Sequence, residues 1–142
     1  MNRQVESNAY LVVSVDDQDR IVRVYRTAEP YPSLDVAESV LKRLVRHIES
    51  AQYKGFSMLL DTRDAAGRND PEFEELMVRY APQLFAPFPR RAVLLRSVAG
   101  VMHASRVSLR HDSAAPDVFR DEREAMLYLQ GKRPSTRPPP RG

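Results

Sequence analysis

An α/β fold on a single mixed sheet is predicted by three observations. Two β-branched runs, residues 10–15 and 21–27, flank the polar segment DDQDR and read as a hairpin. Apolar runs and amphipathic stretches then alternate as far as residue 129. One of those runs, residues 55–61, carries no polar alternation, the pattern of a strand buried on both faces. The expected order is β-β-α-β-α-β-α-β-α: an N-terminal hairpin followed by a mostly parallel sheet with helices packed on it.

Each element has its own warrant. In residues 21–27, Ile21, Arg23, Tyr25 and Thr27 share one face, and Val22, Val24 and Arg26 share the other. Neither face is wholly polar, so one is expected to be covered and the other partly exposed. AEPYP ends the strand. Ser33 then stands as N-cap of a helix with Asp35 in its first turn. Leu34, Ala37, Val40, Leu41, Leu44, Val45 and Ile48 line one helical face, and the helix should stop near Ala51 or Gln52. The apolar run ending in Asp61 is followed by a loop of Arg and Asp. Asp70 as N-cap and Pro71 as first helical residue start the next helix, which Pro82 should kink or end. Residues 91–97 form another strand and residues 98–110 a weakly amphipathic helix. Residues 117–120 are a short last strand. Asp121 and Glu124 form a capping box for the last helix, which Gly131 stops.

Composition narrows the function. The 142 residues suit one domain with its own core. No apolar run approaches the ~18 residues of a membrane helix, and the polar start lacks a signal-peptide segment, so the expected location is the cytoplasm. The absence of Cys excludes disulfides, thiolate nucleophiles and Cys-based zinc sites. The net charge is +3, but Lys132, Arg133, Arg137 and Arg141 lie in the last eleven residues with no acid among them; without those four charges, residues 1–130 stand at −1. A basic face on the domain is therefore not expected, and neither is a nucleic-acid partner. Residues 1–8 read as a flexible leader, 9–130 as the domain, and 131–142 as a disordered Pro- and Arg-rich tail.

Three further stretches carry the likeness to a known family: MLLDTRDAAGRNDPEFE (residues 58–74), AVLL (92–95) and VFRDEREAMLYL (118–129). In these segments and in element order the chain resembles the STAS domain family, the fold of bacterial anti-sigma-factor antagonists. It is most similar to the small antagonist-like branch often compared with lipid-binding CRAL-TRIO domains. The resemblance implies a regulatory domain acting through the loop between the buried strand and the second helix. In the better known antagonists that loop carries a Ser that a partner kinase phosphorylates. Matching Asp61 to the Asp that closes the family's strand puts Asn69 and Asp70 where Asp-Ser would stand. Residues 63–71 hold no Ser or Thr, and Thr62 is the nearest hydroxyl, so the phosphoserine switch is not expected here.

The candidate partner-binding residues are Asp61, Arg63, Asp64, Arg68, Asn69, Asp70 and Glu72. The plain structural alternative is that these charges pair with one another and that Asp70 caps a helix. The loop has no His, no Gly-rich phosphate cradle and no nucleophile beside a base, so no catalytic residue is named and an enzyme is not expected. Phe73, Met77, Tyr80, Phe85 and Phe88 have helical spacing and read as core; the resemblance also permits a pocket there for a small lipid-like apolar ligand. His47, His103 and His111 lack zinc-helix spacing and are expected in solvent, with no metal and no cofactor. The expected partner is a regulatory protein, with a homodimer left open.

Overall fold

The computed structural model describes residues 2–66, 70–97 and 116–132. Six strands form one sheet in strictly sequential order: β1 (Asn2–Ser7), β2 (Leu11–Asp16), β3 (Ile21–Arg26), β4 (Ser57–Asp61), β5 (Arg91–Leu94) and β6 (Asp117–Phe119). The β1–β2 and β2–β3 pairings are antiparallel, and the three that follow are parallel. Helices α1 (Leu34–Ala51) and α2 (Pro71–Phe85) connect the parallel strands, and α3 (Glu122–Leu129) follows β6. The sheet is thus mixed, as predicted. The helix expected over residues 98–110, His103, His111 and tail residues 133–142 lie outside the described residues.

Residues 2–7 depart from the expected flexible leader: they are the edge strand β1. The strand pairs with β2 from Asn2 opposite Asp16 to Ser7 opposite Val12, with a bulge between Gln4 and Glu6. Backbone ladders need no apolar alternation, and among the described side chains of β1 only Val5 packs against the core. Arg3 donates to Asp17 at 2.7 Å and Arg43 of α1 to Glu6 at 2.7 Å, tying the strand down from both sides. These partners are distant in sequence, so local composition gives no hint of them.

Helix α1 follows its periodicity. Ser33 caps it, accepting from the Val36 N–H, and Ala37, Val40, Leu41, Leu44, Val45 and Ile48 are buried. Gln52, at φ 50°, closes it in the left-handed region. In α2, Asp70 is the N-cap, accepting from the Phe73 N–H, and Pro71 is the first helical residue. The helix runs through Pro82 to Phe85, and the Ala86 N–H still reaches the Pro82 carbonyl at 3.0 Å. Pro82 therefore does not end it, because the buried Leu84 and Phe85 anchor the last turn.

The two faces of the sheet are filled differently. Helices α1 and α2 cover one face, where Val13, Val22, Val24, Met58 and Val93 meet Leu41, Leu44, Tyr80, Leu84 and Phe88. Helix α3 covers part of the other, packing Ala125, Tyr128 and Leu129 on Ile21, Leu59, Ala92, Leu94 and Phe119. Successive strand residues point to opposite faces, so Leu59 and Asp61 both turn toward the α3 side. The register places Tyr25 beside Asp61, Asp61 beside Leu94 and Leu94 beside Phe119. The carboxyl ends of all four parallel strands thus lie along one rim, where α3 begins.

Candidate functional site

At that rim four side chains close a ring of alternating charge. Asp61 Oδ2 accepts from Nη2 of Arg23 and from Nη2 of Arg63, each at 2.8 Å. Glu122 Oε1 accepts from the same two nitrogens at 2.6 and 2.9 Å. Asp61 Oδ1 also accepts from Nε of Arg63 at 3.0 Å and from the Arg63 backbone N–H at 3.2 Å. The elements supply the parts: Arg23 from the centre of β3, Asp61 from the last position of β4, Arg63 from the turn after it, and Glu122 from the first residue of α3.

Burial divides the ring. The Asp61 side chain is 2% exposed, whereas that of Glu122 is 43% exposed. Burial alone would raise the Asp61 pKa. The Arg63 guanidinium and backbone N–H, joined by Arg23, outweigh it and hold the carboxyl below its ordinary range. Glu122 is lowered chiefly by Arg23, against a smaller effect of burial. Arg63 is raised, first by its bonds to Asp61. Removing one partner of a buried ion pair costs about 3–5 kcal/mol, whereas an exposed pair is worth about 0–1 kcal/mol. The Asp61 half of the ring is therefore structural, and the Glu122 half is held weakly.

Around the ring further bonds fix the start of the loop, residues 62–64. The Thr62 N–H and hydroxyl both donate to the Leu94 carbonyl, at 3.0 and 2.7 Å. The Tyr25 hydroxyl donates to Asp64 at 2.5 Å, which raises the Tyr25 pKa, and Arg96 reaches the other Asp64 oxygen at 3.3 Å.

Of the residues predicted for partner binding, Asp61, Arg63 and Asp64 converge here. Asp70 caps α2, and Glu72 is exposed in the first turn of that helix. Arg68 and Asn69 lie outside the described residues. Sequence reasoning missed Arg23, Glu122, Tyr25 and Arg96. A signal existed for Arg23, a charge at the centre of the strand IVRVYR. Glu122 gave none, because an acid in a first helical turn reads as ordinary dipole compensation.

The apolar candidates sit on the α1–α2 side. Tyr80, Phe85 and Phe88 are buried in the core, and Phe73 and Met77 are partly buried against it. The Tyr80 hydroxyl donates to Glu38 at 2.7 Å. Phe73 lies in a row of rings with Tyr31 and Tyr10, with centroids 6.1 and 5.2 Å apart. His47, expected in solvent, is mostly covered: its Nε2 lies 2.7 Å from the Tyr53 hydroxyl and its Nδ1 3.7 Å from Glu6. The cause is again β1, which brings Glu6 over α1. Among the described residues no group of three or more His, Asp or Glu is placed to hold a metal ion, and no helix is long and apolar enough to cross a membrane.

No family model and no curated protein matches the chain. Among solved structures it is similar to the crystal structure of an uncharacterized DUF3478-family protein from Shewanella loihica PV-4, described as having a SpoIIAA-like fold. The TM-score is 0.55 and the identity 16%, over 88% of this chain and 98% of that one. The fold is SpoIIAA-like. That is the STAS-like architecture which the residues around Asp61 and the ending VFRDEREAMLYL resemble. In this SpoIIAA-like fold the ring stands where β4 hands over to the loop before α2, the segment singled out from the sequence.

Proposed function

We propose that this chain is a regulatory protein-interaction domain that works by contact, not catalysis, through the β4–α2 loop and the rim beside it. The observation that carries this reading is the closed ring of Asp61, Arg23, Glu122 and Arg63. It fixes an exposed turn at the carboxyl ends of parallel strands, where open α/β sheets usually bind ligands. A turn already held, as residues 61–64 are here, pays less entropy on docking. Asp64, Glu72 and Arg96 stand exposed around it and offer both signs of charge to a partner. The proposed contact works without a phosphoserine. Thr62 spends its hydroxyl on Leu94, and Asp70, at the position that the resemblance gives to the phosphoacceptor, caps α2.

Reversing Asp64 and Glu72 together, as Asp64→Arg/Glu72→Arg, tests the reading. Glu72 is exposed, so its reversal should change stability by no more than about 0.5 kcal/mol. Asp64→Arg also gives up the bonds from Tyr25 and Arg96, a loss of about 1–3 kcal/mol that urea unfolding measures before capture is compared. Affinity capture from the native host should lose the partners held by the unaltered chain. Capture unchanged by the double reversal would sink the proposal. A second reading, a small lipid-like apolar ligand near Phe73 and Met77, draws on the half-buried ring row of Tyr10, Tyr31 and Phe73. Native mass spectrometry of the purified chain should then show a co-purifying lipid, and a bare polypeptide mass would remove that reading.

A further inference from the structure

Glu122 takes part in the ring on different terms from Asp61. It offers a single oxygen: Oε1 receives both Nη2 groups, and among the described residues Oε2 has no hydrogen-bond partner. Its side chain is nearly half exposed and begins a helix at the surface. The two guanidinium groups do not depend on it for their placement. Asp61, fully buried, grips Nη2 of each and Nε of Arg63 from behind. Without Glu122 the remaining three side chains carry a net charge of +1, with two N–H donors aimed at one point at the surface. That point accepts a carboxylate, since one already lies there at 2.6 and 2.9 Å. Each Nη2 offers one N–H there, and a carboxylate with both oxygens free can take one bond on each, whereas Glu122 takes both on a single oxygen.

We propose that Arg23 and Arg63 form a docking clamp for an Asp or Glu side chain of a protein partner, and that Glu122 is the internal occupant displaced when the partner binds. The inference rests on the contact reading above and adds the chemistry that the partner brings. Exchange of one carboxylate for another keeps the ring neutral, so no uncompensated charge is left beside the buried Asp61. The displaced Glu122 returns to water at the positive end of α3, where an acid is well placed. Being an exchange of partly exposed ions, the contact weakens as salt rises.

The test uses a fluorescent oligoglutamate peptide, with oligoglutamine as control, followed by anisotropy at low ionic strength. Glu122→Gln removes the competing charge and keeps the shape. It should bind oligoglutamate at least about tenfold more tightly than the unaltered chain, as expected for a close charge pair relieved of its rival. The gain should vanish in Glu122→Gln/Arg63→Gln and be absent with oligoglutamine. No gain in Glu122→Gln, or a gain that survives loss of Arg63, overturns the clamp. Should the double variant fail to fold, the side-chain Nε–H resonances of Arg23 and Arg63 in Glu122→Gln decide: they must shift as peptide is added, and peptide binding that leaves them unmoved overturns the clamp equally. The contact reading is judged separately by the Asp64/Glu72 reversal. Partners lost there with no gain in Glu122→Gln would leave that reading standing and remove only the clamp.

Discussion

The two faces of the sheet are held by different forces. Under α1 and α2 the contacts are almost wholly apolar, from Val13 and Met58 through Leu44 to Phe88. Under α3 the apolar cluster is smaller, and at the rim it gives way to two acids and two arginines. Apolar burial is non-directional and pH-independent. The ring is directional, and its strength depends on carboxylates staying ionised. The first face accounts for most of the folding free energy. The second contributes geometry: it fixes the turn after β4 against β3, with Glu122 adding a weaker tie to the start of α3.

Substitutions sharpen this contrast. Asp61→Asn should have the largest effect, because it leaves Arg23 and Arg63 with only the exposed Glu122; a loss of about 3–5 kcal/mol is expected in urea unfolding. A loss below about 1 kcal/mol would mean that the ring is ornamental. Met58→Ala, on the apolar face, should cost about 2–5 kcal/mol through lost transfer energy and a cavity. Its unfolding midpoint should keep the same pH dependence as the unaltered chain. The smallest effect is that pH dependence itself. Asp61 and Glu122 both titrate below their ordinary range in the fold. Their contribution is therefore complete above the unfolded carboxylate values, about 4, and is lost as pH falls through the lower folded ones. The urea midpoint should drop on acidification in the unaltered chain and in Met58→Ala, and drop less in Asp61→Asn. Equal slopes in all three would refute the assignment of acid sensitivity to the ring.

What was legible in the sequence follows the range of the interactions. Helix α1 was readable because its burial is written at intervals of three and four residues, from Ala37 to Ile48. Asp70 and Pro71 announced the start of α2 through local backbone chemistry. From Leu11 on, the order of the described elements and the mixed sheet followed from such local signals. Strand β1 was missed because it is held chiefly by its ladder to β2, a pairing that no local periodicity announces. The candidate site was half visible. Asp61, Arg63 and Asp64 lie in one short segment, and a loop rich in both charges draws the eye. Their partners Arg23 and Glu122 are separated by 99 positions, and only the parallel register of β3 and β4 and the placement of α3 bring them together.

The strictly sequential strand order has a consequence for how the domain assembles. Every strand pairs with the one before it, so none must wait to be inserted between two others. The sheet can grow outward from the β1–β2–β3 meander as the chain emerges, each new edge serving as template for the next strand. The antiparallel meander closes short loops and favours early formation, whereas the parallel pairings join residues 25 to 36 positions apart and close more slowly. Along that route Asp61 meets Arg23 as soon as β4 docks, while Glu122 arrives only with α3. The ring is thus completed late, and its closure marks the arrival of the last helix.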